Sequence, residues 1–191
     1  MVRNPERRRQ LLDAAVEVLA SQGGRGLTFG AVDREAGAPA GTASNYFASR
    51  DQLVDELAAH VFERLAPDPV ETEKRMSRPH TRETERDLMH WLVERAMADR
   101  SAHLALFELR LEATRNSRLA PAVTRHFAGN LANATVDHVD GGFPGDRSTV
   151  LVLYLAMNGL LLEHLTMPAL LGDGEVQRIV DQIVTAIVPP G

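Results

Sequence analysis

The sequence contains no cysteine, which excludes disulfides and thiolate metal sites and fits a reducing interior. No segment alternates apolar and polar residues for long, so no sheet is expected. The longest apolar run, VLVLYLAMNGLLL at 150–162, contains Asn158 and stops at Glu163, so no membrane span is expected. The first ten residues, MVRNPERRRQ, lack the apolar core of a secretory signal, and a cytoplasmic protein is the expectation. Catalytic signatures are missing too. The seven histidines, at 60, 80, 90, 103, 126, 138 and 164, form no His-Glu-x-x-His array. There is no Gly-rich phosphate loop, nucleotide fingerprint or Ser-His-acid order. No metal, cofactor or enzyme activity is therefore expected, and there is no internal repeat or low-complexity tract.

What is present is an ordinary globular balance: 191 residues, 44% hydrophobic and 25% charged, enough for one sizeable domain or two small ones. The net charge of −5 is unevenly spread. Residues 1–50 carry seven arginines against Glu6, Asp13, Glu17, Asp33 and Glu35, whereas residues 51–191 are net acidic. Arg3, Arg7, Arg8 and Arg9 crowd the start. A basic head on an acidic body suits a small module that touches a polyanion while the body does something else.

Helical periodicity runs throughout. In PERRRQLLDAAVEVLASQG, residues Leu11, Leu12, Ala15, Val16, Val18 and Leu19 share one arc at about 100° per residue. Gly23, Gly24 and Gly26 end that helix. Thr28 is placed to cap a second helix, FGAVDREA, that buries Phe29, Val32 and Ala36, and Gly37 closes it. Pro39 suits the first turn of a third helix, AGTASNYF, and Ser49 caps a long fourth one carrying Leu53, Leu57 and Val61. PDPVETEKRMSRPHT, beginning at Pro67, reads as a linker or mobile loop. Helices are expected again at 82–99, 102–116, 119–139, 147–167 and 175–188.

A short helix, a tight turn at Gly37 and a helix of about two turns have the spacing of a helix-turn-helix, whose second helix enters the major groove. The segment at 40–47 has suitable chemistry. Gly41 lets the backbone approach phosphate, Thr42 and Ser44 offer hydroxyls to base or phosphate, and Asn45 has the fork that pairs with adenine. Tyr46 can send its hydroxyl to a phosphate while its ring packs inward.

The stretch TFGAVDREAGAPAGTASNYFASRDQL resembles the DNA-binding signature of TetR-type (TetR/AcrR) transcriptional regulators, and the resemblance covers residues 5–65. It implies that Thr28 and Tyr46 contact phosphate and that Arg50 stands where the family usually has a Lys against the backbone. Ala40, Thr42, Ala43, Ser44 and Asn45 would lie nearest the bases. Three positions depart from the pattern: Ala40 replaces a basic or polar residue, Ser44 a Tyr, and Asp33 a small residue packed between two helices.

In the body, Val176, Val180, Ile183 and Ile187 recur at four-three-four spacing, widened by Ile179 and Val184. The preceding helix is apolar nearly all round, with Leu155, Gly159 and Leu162 along one side. These two helices are expected to form a two-fold, four-helix dimer interface, as the resemblance also implies. The resemblance further implies a small-molecule effector in the helical body. Candidate pocket residues are Trp91, Phe107, Phe127, Tyr154 and Met157, with Glu108, Glu112, Arg115 and Asn158 as polar groups.

The sequence thus supports an all-α chain with a helix-turn-helix DNA-binding domain at 1–50 and a helical effector-binding and dimerisation domain at 51–191. The expected function is a repressor released from a palindromic double-stranded operator by a small-molecule effector. The alternative is a helical ligand- or protein-binding module without sequence-specific DNA binding.

Overall fold

A computed structural model describes residues 4–172 and 174–190. Ten α-helices and no β-strand occur among the described residues. The described chain divides into two compact units, one comprising the residues up to Ala66 with Asp99–Arg125, the other Pro67–Ala98 with the residues from His126.

The first unit is organised around α1 (Pro5–Gly26). Asn4 caps it by accepting from the amides of Glu6 and Arg7. Leu11, Leu12, Ala14, Ala15, Val16, Val18 and Leu19 form its buried ridge, packed against α2 (Phe29–Glu35), α4 (Arg50–Leu65) and α7 (Arg100–Ala113). The helix ends at Gly26, within the glycine cluster expected to end it, but does not pass smoothly through Gly23. It kinks there, with φ 66° and ψ −178°, and makes one more turn to Gly26. Positive φ is accessible to glycine because it lacks a Cβ.

Thr28 caps α2 through Ala31, and Ser49 caps α4 through Gln52, both as the sequence indicates. In α2 the buried residues are Ala31, Val32 and Asp33, whereas Phe29 and Ala36 are only half-buried. The helix α3 is shorter than expected, Thr42–Tyr46, because Pro39 lies outside it in the preceding turn. Pro39 acts there through its carbonyl, which accepts from both the amide and the hydroxyl of Thr42.

In the second unit, the segment expected to be a linker contains a helix, α5 (Pro69–Met76). Asp68 caps it, Pro69 occupies its first turn and Lys74 and Arg75 lie in its last, so the proline that read as punctuation is a helix start. Packed together are α6 (Arg82–Ala98), α9 (Arg147–Thr166) and α10 (Glu175–Ile187). Helix α8 (Ala120–Val139), whose residues from His126 belong to this unit, precedes a turn closed by Phe143, and a capping box between Asp146 and Thr149 starts α9.

Two expectations about α9 and α10 need correction. By length and composition α9 is apolar enough to cross a bilayer, contrary to the sequence reading, although Val150, Leu153, Met157, Leu160, Leu161 and Leu165 are buried within the protein. On α10 the buried stripe is Val176, Val180 and Val184, at uniform i, i+4 spacing. Val176 and Val180 therefore belong to the protomer's own core, not to an exposed seam; Ile183 and Ile187 lie beside them, half-buried.

Candidate nucleic-acid interface

The α2–turn–α3 segment is oriented by a few inward anchors. Ala43 and Phe47, one helical turn apart, are both buried. With that side fixed inward, Gly41, Ser44 and Asn45 are exposed, as is Ala40 in the turn, and Thr42 is half-buried. Ala43 was expected near the bases; its methyl faces the core instead, and that assignment is corrected.

The turn is tightly hydrogen-bonded. Gly41 has φ 87° and precedes α3 with no side-chain cap of its own. The Ser44 hydroxyl donates to the Gly41 carbonyl at 2.9 Å, and the Thr42 hydroxyl to the Pro39 carbonyl at 2.6 Å. Each hydroxyl retains lone pairs for an outside donor. Among the described residues the Asn45 side chain makes no hydrogen bond, and the residue is exposed.

The basic residues sort differently from their appearance in sequence. Arg8 is a structural latch: its guanidinium donates to both carboxylate oxygens of Glu56 and, at 3.3 Å, to the Tyr46 carbonyl. It also lies 5.0 Å over the Phe47 ring. The Glu56 hydrogen bond holds its proton more tightly than usual, against the opposing effect of burial. Arg7 reaches Gln10, and Arg9 lies 3.7 Å from Glu63 with both side chains largely exposed. Arg3 lies outside the described residues.

Arg50, at the start of α4, donates to the Gly24 carbonyl at 2.8 Å and approaches Glu112 at 3.6 Å. Its side chain remains 45% exposed, so part of the guanidinium faces solvent. The Gly24 amide is held by Glu108 at 3.3 Å. Glu108 and Glu112, expected as polar pocket groups, thus bind the end of α1 and the start of α4. Their neighbour Arg115 lies 3.7 Å from Glu112. The sequence offered no signal for these contacts, which join residues up to 84 positions apart.

The remaining pocket candidates have mixed surroundings. Phe107 is half-buried in the first unit. In the second, Trp91 lies under two guanidiniums, Arg75 at 4.6 Å and Arg95 at 5.0 Å, and burial pulls the Arg95 pKa down. Phe127 meets His126 edge-on, Met157 is a core side chain, and Tyr154 is half-buried. Asn158 donates to the carbonyl of Tyr154 one turn earlier, a hydrogen bond within its own helix.

Along α9, Leu151, Val152, Leu155 and Leu162 are exposed large aliphatics, and Gly159 lies on the same side. A methyl group placed on Gly159 meets nothing within 4 Å.

Comparison with known proteins accords with this geometry. The model of the family described as "Bacterial regulatory proteins, tetR family" matches residues 11–57, and that of the "Tetracyclin repressor-like, C-terminal domain" matches residues 80–190. The HTH-type transcriptional regulator BetI of Brucella canis (strain ATCC 23365 / NCTC 10854 / RM-666) is 32% identical over 78 residues, 41% of this chain and 39% of that protein. The chain therefore aligns with about two-fifths of the length of that curated relative. Among solved structures, SCO1917 of Streptomyces coelicolor A3, a member of the TetR family, superposes with TM-score 0.72 at 24% identity, covering 97% of this chain and 99% of that one. The multidrug binding protein EbrR complexed with ethidium gives TM-score 0.70 at 24% identity over the same shares. With a helix-turn-helix at its start and a helical body matching that C-terminal model over more than half its length, the chain belongs to the TetR family of bacterial transcriptional regulators.

Proposed function

We propose that the protein is a cytoplasmic homodimeric repressor that reads a short palindromic DNA operator with α3 and is released by a small-molecule effector. Residues 1–50 serve as the reading head and residues 51–191 as the effector-binding and dimerising body. The observation that carries this reading is the exposed edge of α3: Ser44 and Asn45 project outward because Ala43 and Phe47 are buried behind them. Asn pairs bidentately with adenine, and hydroxyls serve base or phosphate. Thr28, Tyr46 and Arg50 supply backbone contacts, with Gly41 allowing close approach.

Dimerisation uses the exposed face of α9, in particular Leu155, Gly159 and Leu162, with Ile183 and Ile187 of α10 beside it. Large exposed aliphatics along one helix mark a contact surface, and the open space over Gly159 admits a partner helix. A second copy is the occupant that members of this family support. Two reading helices about 34–36 Å apart meet successive major grooves, which makes the operator a palindrome.

The effector acts by a coupling free energy: a ligand that favours the arrangement unable to bind DNA weakens DNA binding by the factor by which DNA weakens the ligand. About 1–3 kcal/mol of such preference shifts occupancy substantially. The relative EbrR is described as binding multiple drugs, which supports a small molecule as the effector here.

Selection of duplexes from a random pool tests the reading, followed by a screen for compounds that release the selected DNA. Enrichment of a palindrome, bound by the dimer in a salt-sensitive way, is expected; a pool that never converges contradicts the proposal.

A further inference from the structure

The geometry points to Asp33 as the residue that positions the reading helix. This inference rests on the proposed role of α3 in reading DNA. Asp33 is only 3% exposed, on the side of α2 that faces α3. Its Oδ2 accepts from the Gly41 amide at 2.8 Å and its Oδ1 from the Ala43 amide at 2.7 Å. Its backbone carbonyl accepts from the Ala38 amide at 2.8 Å. One residue therefore grips the turn at three points, before and within the first turn of α3.

The need for such a grip follows from the helix itself. At five residues α3 is far too short to be stable alone, and Gly41, in the N-cap position before it, provides no side-chain cap. The first amides of a helix lack intrahelical partners, and a carboxylate there satisfies them and complements the helix dipole. Asp33 supplies from a neighbouring helix the cap that α3 lacks. A buried carboxylate that received no such donors would be expensive, so the conformation of Gly41 and the inward position of Ala43 are locked together. That lock fixes the direction in which Ser44 and Asn45 project. Asp33 touches no DNA; it acts through the backbone that carries the reading side chains.

The test uses the full chain with Asp33→Ala and Asp33→Asn. Each variant is titrated with a duplex selected by the unsubstituted protein and with a scrambled duplex of equal length. Asp33→Ala should lower affinity for the selected duplex at least tenfold and change the scrambled duplex less than threefold. Asp33→Asn, which keeps one acceptor oxygen, should fall between. Equal loss on both duplexes in a variant that remains folded by circular dichroism overturns the assignment.

A second measurement needs neither DNA nor a substitution. In the unsubstituted protein, the Gly41 and Ala43 amides should show through-hydrogen-bond coupling to the Asp33 carboxylate carbon and slow hydrogen exchange. Amides that exchange like those of an open loop, without that coupling, overturn the inference even if Asp33→Ala does not fold. If the protein selects no duplex while the coupling is present, the DNA-reading proposal has failed and the structural assignment has not.

Discussion

The guanidinium of Arg50 lies 3.6 Å from a carboxylate oxygen of Glu112, while its other nitrogen donates to the carbonyl of Gly24 at 2.8 Å. The cation proposed to meet DNA phosphate is thus shared with an acid on α7. On that proposal, phosphate would compete with Glu112 for it. An exposed pair of this kind contributes about 0.2–1 kcal/mol. Glu112→Gln should therefore tighten binding to any duplex by about 1.5- to 5-fold. Arg50→Ala should weaken all sequences alike and reduce the salt slope by about 1. Fluorescence anisotropy titrations across a salt series check both, and unchanged affinity in Glu112→Gln would remove the competition.

Arg8 should behave as part of the fold. Arg8→Ala loses the Glu56 and Tyr46 hydrogen bonds and the contact with the Phe47 ring. The pair is roughly a quarter exposed, so solvent screening trims its worth, and a loss of about 1–2 kcal/mol in stability is expected. Arg7→Ala and Arg9→Ala should stay within about 0.5 kcal/mol, as for ordinary surface positions. Denaturant unfolding of the three variants separates the latch from its exposed neighbours.

The distinction between the two faces of the last helices is equally testable. Leu155 is 60% exposed, whereas Val180 is completely buried. Leu155→Glu should leave a folded monomer, because it places a charge where only a partner would exclude water. Val180→Glu should abolish folding by burying an unpaired charge. Sedimentation and circular dichroism read these outcomes. A Leu155→Glu variant that remains dimeric at micromolar concentration would rule this face out.

A pH response is built into the second unit. His138 and Glu85 are both buried, with Nδ1 3.3 Å from Oε2 and with Nε2 3.0 Å from the Pro144 carbonyl. Burial works against the charge of His138, yet Glu85 and the Pro144 carbonyl together raise its pKa. Across Phe143, His80 faces the carbonyls of Met76 and Gly141, which raise its pKa too. A raised folded pKa means stability that is full below the unfolded value, about 6.5, and lost as pH rises through the folded value. His126, which burial shifts downward, works with the opposite sign. Accordingly the stability gap between the unsubstituted protein and His138→Gln should be widest near pH 6 and shrink as pH rises. Thermal unfolding across pH 5.5–8.5 measures it, and a gap that widens toward alkaline pH contradicts the assignment.

Local signals in the sequence foretold the fold well. Thr28 and Ser49 are hydroxyl caps before apolar periodicity, and each caps its helix as read. Gly37 has the expected positive φ, 58°. The errors arise where a local pattern has two physical meanings. Asp68 and Pro69 serve equally as a turn or as the cap and first turn of α5. The α10 apolar residues fit a heptad seam or a single buried stripe, and only packing partners decide between them. Contacts distant in sequence were invisible: Arg8 with Glu56 and Arg50 with Glu112 look like free surface charges in a linear reading. Asp33 was recognisable only as an anomaly, since its acceptors matter through backbone amides that have no sequence signature.

The central claim is that the outward edge of α3 reads bases, and Asn45 tests it most directly. The decisive measurement is the ratio of affinities for the selected duplex and a scrambled one, compared between the unsubstituted protein and Asn45→Ala at fixed salt. Loss of a bidentate base contact amounts to about 1–3 kcal/mol, so that ratio should fall about 5- to 150-fold while scrambled-duplex binding holds. A ratio unchanged by Asn45→Ala contradicts the account.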